Sequence, residues 1–159
     1  MARQAPLLVQ RDLLLDAQQV PLAAPMDCLL KVMRSQRPVW LVAEQPGSWR
    51  PTRRSVDQDL DLQQRLQQIA RRAGASFDGV LYLPAGLFTR RRNRLDLVED
   101  LASRYDCPAA DLTLIARDAV LLETMVLAGG RALCVDGDAV SGATLKPDLA
   151  SALEHIKVV

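Results

Sequence analysis

Residues 38–43, Pro-Val-Trp-Leu-Val-Ala, and residues 79–83, Gly-Val-Leu-Tyr-Leu, are short β-rich runs on either side of one long helix-period segment, 56–73. Two such strands joined through a helix make a βαβ crossover, so the strands are expected to run parallel. Within the helical segment Val56, Leu60, Leu66, Ile69, Ala70 and Ala73 recur at helical spacing, while Gln and Arg residues cover the other face. Ser55 and Gln58 have the spacing of a capping box at its start, and Gly74 is a natural stop at its end.

The same alternation extends outward in both directions. Further strands are expected at 6–10, 112–116 and 131–135, and further helices at 25–36, 94–105, 119–128 and 147–155. This order predicts an α/β fold of three layers, Rossmann-like, with a central parallel sheet and helices on both faces. Residues 1–159 are read as a single domain. The segment Ala119–Ala128 is apolar almost all round, which means either deep burial or a face shared with a partner. The loops 44–54 and 84–94 follow the carboxyl ends of strands, where open α/β sheets bind their ligands.

Composition narrows the function classes. At 159 residues, with 49% apolar and 25% charged residues, the chain can bury a sizeable core without staples. A net charge of +1 gives no global field to steer nucleic acid, and 4% aromatics leaves little for base stacking. Cys28, Cys107 and Cys134 are far apart and odd in number, and His155 is the one histidine. They make neither a zinc signature nor an obvious disulfide framework, so buried free thiols are expected. No apolar run approaches the ~20 residues of a membrane span, and Gln10, Arg11 and Asp12 interrupt the N-terminal apolar stretch too early for a signal peptide. A cytoplasmic location is expected.

Residues 7–12 read Leu-Leu-Val-Gln-Arg-Asp, and residues 39–47 read Val-Trp-Leu-Val-Ala-Glu-Gln-Pro-Gly ahead of the helix and Phe77-Asp-Gly-Val-Leu-Tyr-Leu-Pro84. In this order of segments, from Pro6 to about Ile156, the chain resembles the haloacid dehalogenase (HAD) superfamily of phosphotransferases. Within it the pattern is most similar to the heptose bisphosphate and histidinol-phosphate phosphatases. The resemblance implies a HAD fold with little or no cap, Mg2+-dependent chemistry, and four motifs at the carboxyl edge of the sheet.

The first motif, Asp-x-Asp-Gly, supplies a nucleophile and an acid/base. Here it reads Gln10-Arg11-Asp12-Leu13, so Gln10 stands at the nucleophile position and Asp12 keeps the acid/base position. A carboxylamide is uncharged, a poor nucleophile and a weak ligand for a hard cation. The Thr that holds the phosphoryl group in the second motif is replaced by Ala43, followed by Glu44. The cationic third motif maps to the segment Arg90, Arg91, Arg92, Asn93, Arg94, where an anion site or a solvated loop are the two readings. The zinc loop that many of these phosphatases carry here has no Cys or His between 82 and 94. The fourth motif keeps one acid, Asp118, which could hold metal or simply cap the following helix. Asp12 could likewise be a turn residue that bonds its own backbone.

Losing the nucleophile costs on the order of a millionfold in turnover. The expectation is therefore a catalytically inactive pseudophosphatase that binds a protein partner or an anionic ligand, with a possible connection to lipopolysaccharide metabolism through the heptose phosphatases. A divergent Mg2+-dependent sugar phosphatase and a structural homo-oligomer are the alternatives. No cofactor is expected unless the divergent-phosphatase reading holds.

Overall fold

The computed structural model describes residues 4–44, 53–83 and 91–157. In chain order the elements are β1 (Leu7–Gln10), a 3-10 turn (Arg11–Leu14), α1 (Ala23–Arg34), β2 (Val39–Glu44), α2 (Arg53–Arg72) and β3 (Gly79–Leu83). They continue with α3 (Arg91–Arg104), a second 3-10 turn (Ala109–Asp111), β4 (Thr113–Ala116), α4 (Ala119–Leu127), β5 (Arg131–Val135), β6 (Thr144–Lys146) and α5 (Leu149–Lys157). The six strands form one parallel sheet in the order β3-β2-β1-β4-β5-β6. β1 is central, and the chain winds outward from it in both directions.

Strand alternation divides the core into two layers. Leu7, Val9, Val39, Leu41, Ile115, Leu133 and Val135 face α1, α2 and α5. Leu8, Val42, Leu114, Ala116, Ala132 and Cys134 face α3 and α4. Because both faces are covered, β1 and β4 are buried at every residue, and apart from Gln10 and Thr113 they are apolar. Each fully buried leucine here contributes about 1.5–3 kcal/mol relative to an exposed one.

Three expectations need correction. The sheet has six strands, not five; β6 is three residues with Thr144 and Leu145 exposed, so it carries no apolar pattern. α2 starts at Arg53, which puts Ser55 inside the helix rather than at its cap. Leu60, expected on the inner face of α2, is 51% exposed, while Leu66 and Ala70 are fully buried. Gly74 does stop α2, at φ +78°, a left-handed geometry that favours glycine.

The thiols are all free, but only Cys134 is buried; Cys28 and Cys107 are half-buried. α4 buries Leu121, Leu122, Thr124 and Met125 and leaves Val120 and Leu127 exposed, so its apolar outer face is real. Trp40 lies half-buried on β2, its Nε1 donating to the Tyr105 hydroxyl at 2.7 Å. Trp49 is outside the described residues. Among the described residues no helix is long and apolar enough to cross a membrane.

Candidate functional site

The carboxyl ends of β1, β2 and β4 bring Gln10, Ala43 and Asp118 to one edge of the sheet. Gln10 is the last residue of β1 and is buried. Its Oε1 accepts hydrogen bonds from the backbone N–H groups of Arg117 (2.7 Å) and Asp118 (3.0 Å). The carboxylamide thus ties β1 to the turn between β4 and α4. An oxygen aimed at two amide donors is a structural tether; as an amide oxygen it offers no nucleophile.

Asp118 is the N-cap of α4, its Oδ1 accepting from the Leu121 N–H at 3.1 Å. That is the capping alternative left open by the sequence. Glu123 is exposed on the outer side of α4. Asp12 is the second residue of the 3-10 turn, with an exposed side chain, and its backbone carbonyl accepts the Leu15 N–H at 3.2 Å. Ala43 is buried on β2 opposite Tyr82 of β3 and offers no hydrogen-bond donor. No group of three or more His, Cys, Asp or Glu side chains among the described residues could hold a metal ion.

Arg90 lies outside the described residues. Arg91 and Arg92 are the first two residues of α3, with their side chains outside the description, and Arg94 follows on the same helix. α2 opens likewise with Arg53 and Arg54, and neither helix has an acid in its first turn. Arginine thus occupies the first two positions of both helices in the sequence.

The feature that sequence reading passed over is Arg11. Sitting between Gln10 and Asp12, it reads as a motif spacer, yet its side chain is only 8% exposed. Its Nη2 donates to Asp59 Oδ1 at 2.5 Å and its Nη1 to Gln63 Oε1 at 3.3 Å, from successive turns of α2. The Tyr82 hydroxyl donates to the other oxygen of Asp59, and the guanidinium carbon sits 6.0 Å from the Tyr82 ring centre. Burial works against the Arg11 charge, but the Asp59 carboxylate and the Tyr82 hydroxyl outweigh it and raise the pKa of Arg11. Burial also opposes the Asp59 charge, and the hydrogen bonds from Arg11 and Tyr82 overcome it, holding that carboxyl below its ordinary value. Burial and the Asp59 carboxylate push the Tyr82 phenol up. The one visible sequence signal was an arginine directly after a fully buried strand, which must either turn out to solvent or find an acid.

Hollows among the described residues border this edge. One of about 280 Å³ is lined by Leu13, Cys28, Arg117, Val135, Asp136 and Leu149. Arg117 and Asp136 meet at 3.5 Å at its mouth, both well exposed, so the pair adds little stability. The other, about 590 Å³, lies between the 15–21 loop and α2 and is lined by polar groups including Arg11, Gln18, Gln19, Asp59 and Arg65.

No protein-family model and no curated protein sequence matches the chain. Solved structures do. The D,D-heptose 1,7-bisphosphate phosphatase from B. bronchiseptica, crystallised with magnesium and phosphate, superposes with a TM-score of 0.77 at 16% identity, over 97% of this chain and 98% of that one. The D,D-heptose 1,7-bisphosphate phosphatase from Burkholderia thailandensis gives 0.70 at 14%, over 98% and 99%. A haloacid dehalogenase-like family hydrolase from Xanthomonas campestris gives 0.57 at 12%, over 88% of this chain and 55% of that one. The fold is that of the HAD phosphatases, as the order of segments predicts.

Proposed function

We propose that this protein is a HAD-fold pseudophosphatase, a binding protein rather than a phosphoryl-transfer enzyme, whose carboxyl edge engages an anionic ligand or an acidic protein surface. The observation that carries the reading is the Gln10 tether. The side chain at the nucleophile position accepts two backbone hydrogen bonds, has no charge, and is buried among them. Two further losses act on the same reaction. Ala43 offers no donor to a phosphoryl oxygen, and Asp118 is occupied as a helix cap. The charge we assign to such a ligand is the arginine-rich sequence at 90–94 and at Arg53 and Arg54. The names of the heptose bisphosphate phosphatases suggest surface-polysaccharide metabolism as a setting, by analogy of fold alone. We assign no nucleic-acid partner and no resident metal, and place the protein in the cytoplasm.

The reading is tested by assaying the purified protein on p-nitrophenyl phosphate and on small sugar phosphates with Mg2+. No turnover above background is expected. Turnover that disappears in Asp12→Ala and survives in Gln10→Ala would establish a divergent phosphatase and sink this proposal. Light scattering across concentration addresses the remaining alternative, a homo-oligomer with a purely structural role; a monomer at all concentrations is expected.

A further inference from the structure

The two borders of the sheet are not built alike. Among the described residues β3 and β6 each pair on one side only. β6 is three residues long, ends in Lys146 and is followed by Pro147, features that keep a free edge from pairing. β3 spans Gly79–Leu83 with no charge and no proline, and Val80, Leu81 and Tyr82 are half-buried rather than sealed. Among the described residues its outer N–H and C=O groups form a row with no strand beside it.

Apolar groups flank this row on both faces of the sheet. On one face α2 lies along β3: the Tyr82 hydroxyl donates to Asp59, and Gln67 exchanges two hydrogen bonds with the Phe77 backbone, at 2.9 and 3.1 Å. Leu60 follows Asp59 by about 100° round the helix, on the flank beyond the strand, and is 51% exposed. On the other face the Trp40 ring lies directly over Gly79, where a Cβ would come within 2.5 Å of it, so the ring covers the strand at the border. Trp40 is half-buried, and the Arg104 guanidinium sits 5.9 Å from its ring centre.

Charge selects the occupant. Arg104 ends α3 beside Trp40, and Arg71 and Arg72 end α2 where the Gln67 bonds hold that helix against the start of β3. All three are exposed, and none forms an ion pair among the described residues. The acids nearby are Asp78, which accepts the Val39 N–H at 3.0 Å, and the exposed Asp106. The start of the edge is therefore net positive, and an apolar strand that carries acids is favoured there over a basic one.

We propose that the β3 edge receives an extended segment of a partner protein as an added strand. Its apolar side chains pack against Leu60 and Trp40, and its acidic residues meet Arg71, Arg72 and Arg104. Main-chain hydrogen bonds to the open row supply affinity, and the flanking side chains choose the segment. β2 separates this surface from β1 and Gln10, so it does not depend on what the carboxyl edge binds.

The probe is a short synthetic peptide of alternating valine and threonine with aspartates at both ends. It is compared with the same peptide carrying lysines at its ends and with one carrying a central proline. Binding is followed by Trp40 fluorescence in a Trp49→Phe background, which leaves one tryptophan, and by hydrogen exchange of the β3 amides. The aspartate peptide is expected to shift the emission and to slow exchange in β3. The lysine peptide should bind on the order of 10-fold more weakly, and Arg104→Glu should narrow that difference. The proline peptide should not bind, because it lacks a strand N–H. Leu60→Glu should weaken the aspartate peptide, whereas Leu127→Glu, at an exposed position of α4, should not. No binding at millimolar peptide, equal binding of the proline or lysine peptide, an equal loss in Leu127→Glu, or protection confined to elements other than β3 would each overturn the site. Self-association of the protein that Leu60→Glu abolishes would assign the edge to a second copy and overturn the partner.

Discussion

Gln10 and Arg11 are adjacent, and both exchange an expected chemical role for a structural one. Gln10→Ala leaves the Arg117 and Asp118 amides without their acceptor, so it should cost about 1–3 kcal/mol in urea denaturation without touching any activity. Asp59→Ala strands the buried Arg11 guanidinium and should cost about 2–4 kcal/mol, more than a surface ion pair would. The same cluster sets a pH signature. Asp59 has a folded pKa below its unfolded value near 3.9, so its contribution is fully present above about pH 4 and is lost as pH falls through the folded value. Tyr82 acts at the other end: its pKa is raised, so its contribution is present below about pH 10 and is lost as pH rises through the folded value. Melting temperature should therefore decline on the acid side of pH 4, and Asp59→Asn should flatten that decline. An unchanged acid limb in Asp59→Asn would remove Asp59 from the account.

The elements were legible where periodicity is strong. β1, β4 and β5 are apolar runs that burial forces on a two-sided sheet, and α2 and α3 carry helical patterns long enough to be read without packing information. β6 was not legible, because an edge strand of three exposed residues has nothing apolar to alternate. The start of α2 was misread because Ser55 and Gln58 fit a cap locally, while the helix extends back to Arg53. Leu60 was misplaced because the apolar stripe of α2 is narrower than its apolar content, and Leu62 packs inward instead. At the head of α4, Asp118 allows a clean separation of roles. Asp118→Asn should keep the helix cap and the melting temperature, whereas Asp118→Ala should cost about 1 kcal/mol. On β3, a Cβ on Gly79 would come within 2.5 Å of the Trp40 ring. Gly79→Ala should therefore cost about 1–3 kcal/mol and shift the Trp40 fluorescence as its bond to Tyr105 is strained.

Across the whole molecule the fold was readable from sequence and the site only in part. A parallel sheet covered on both faces follows from the alternation of apolar runs and helical segments, which are properties of segments, whereas the order of strands with β1 inside came only from the structure. The fate of a site depends on which single atoms meet, and neither the Gln10 tether nor the Arg11–Asp59–Tyr82 cluster leaves a periodic trace. Partners 48 and 107 residues apart come together only once the sheet is assembled. That distinction bears on whether the activity can be restored. Gln10→Asp returns a carboxylate to the nucleophile position, but one methylene shorter than the glutamine and facing amides already bound to the edge. Ala43 still lacks a donor for the phosphoryl group, and Asp118 remains a cap. Because these groups act on one transition state, repairing one of them recovers almost nothing. Gln10→Asp should thus show no Mg2+-dependent hydrolysis of p-nitrophenyl phosphate, together with a lower melting temperature from a buried, poorly reaching carboxylate. Robust hydrolysis by that single variant would mean that the remaining edge is still catalytically competent, and that Gln10 alone separates this chain from a working phosphatase.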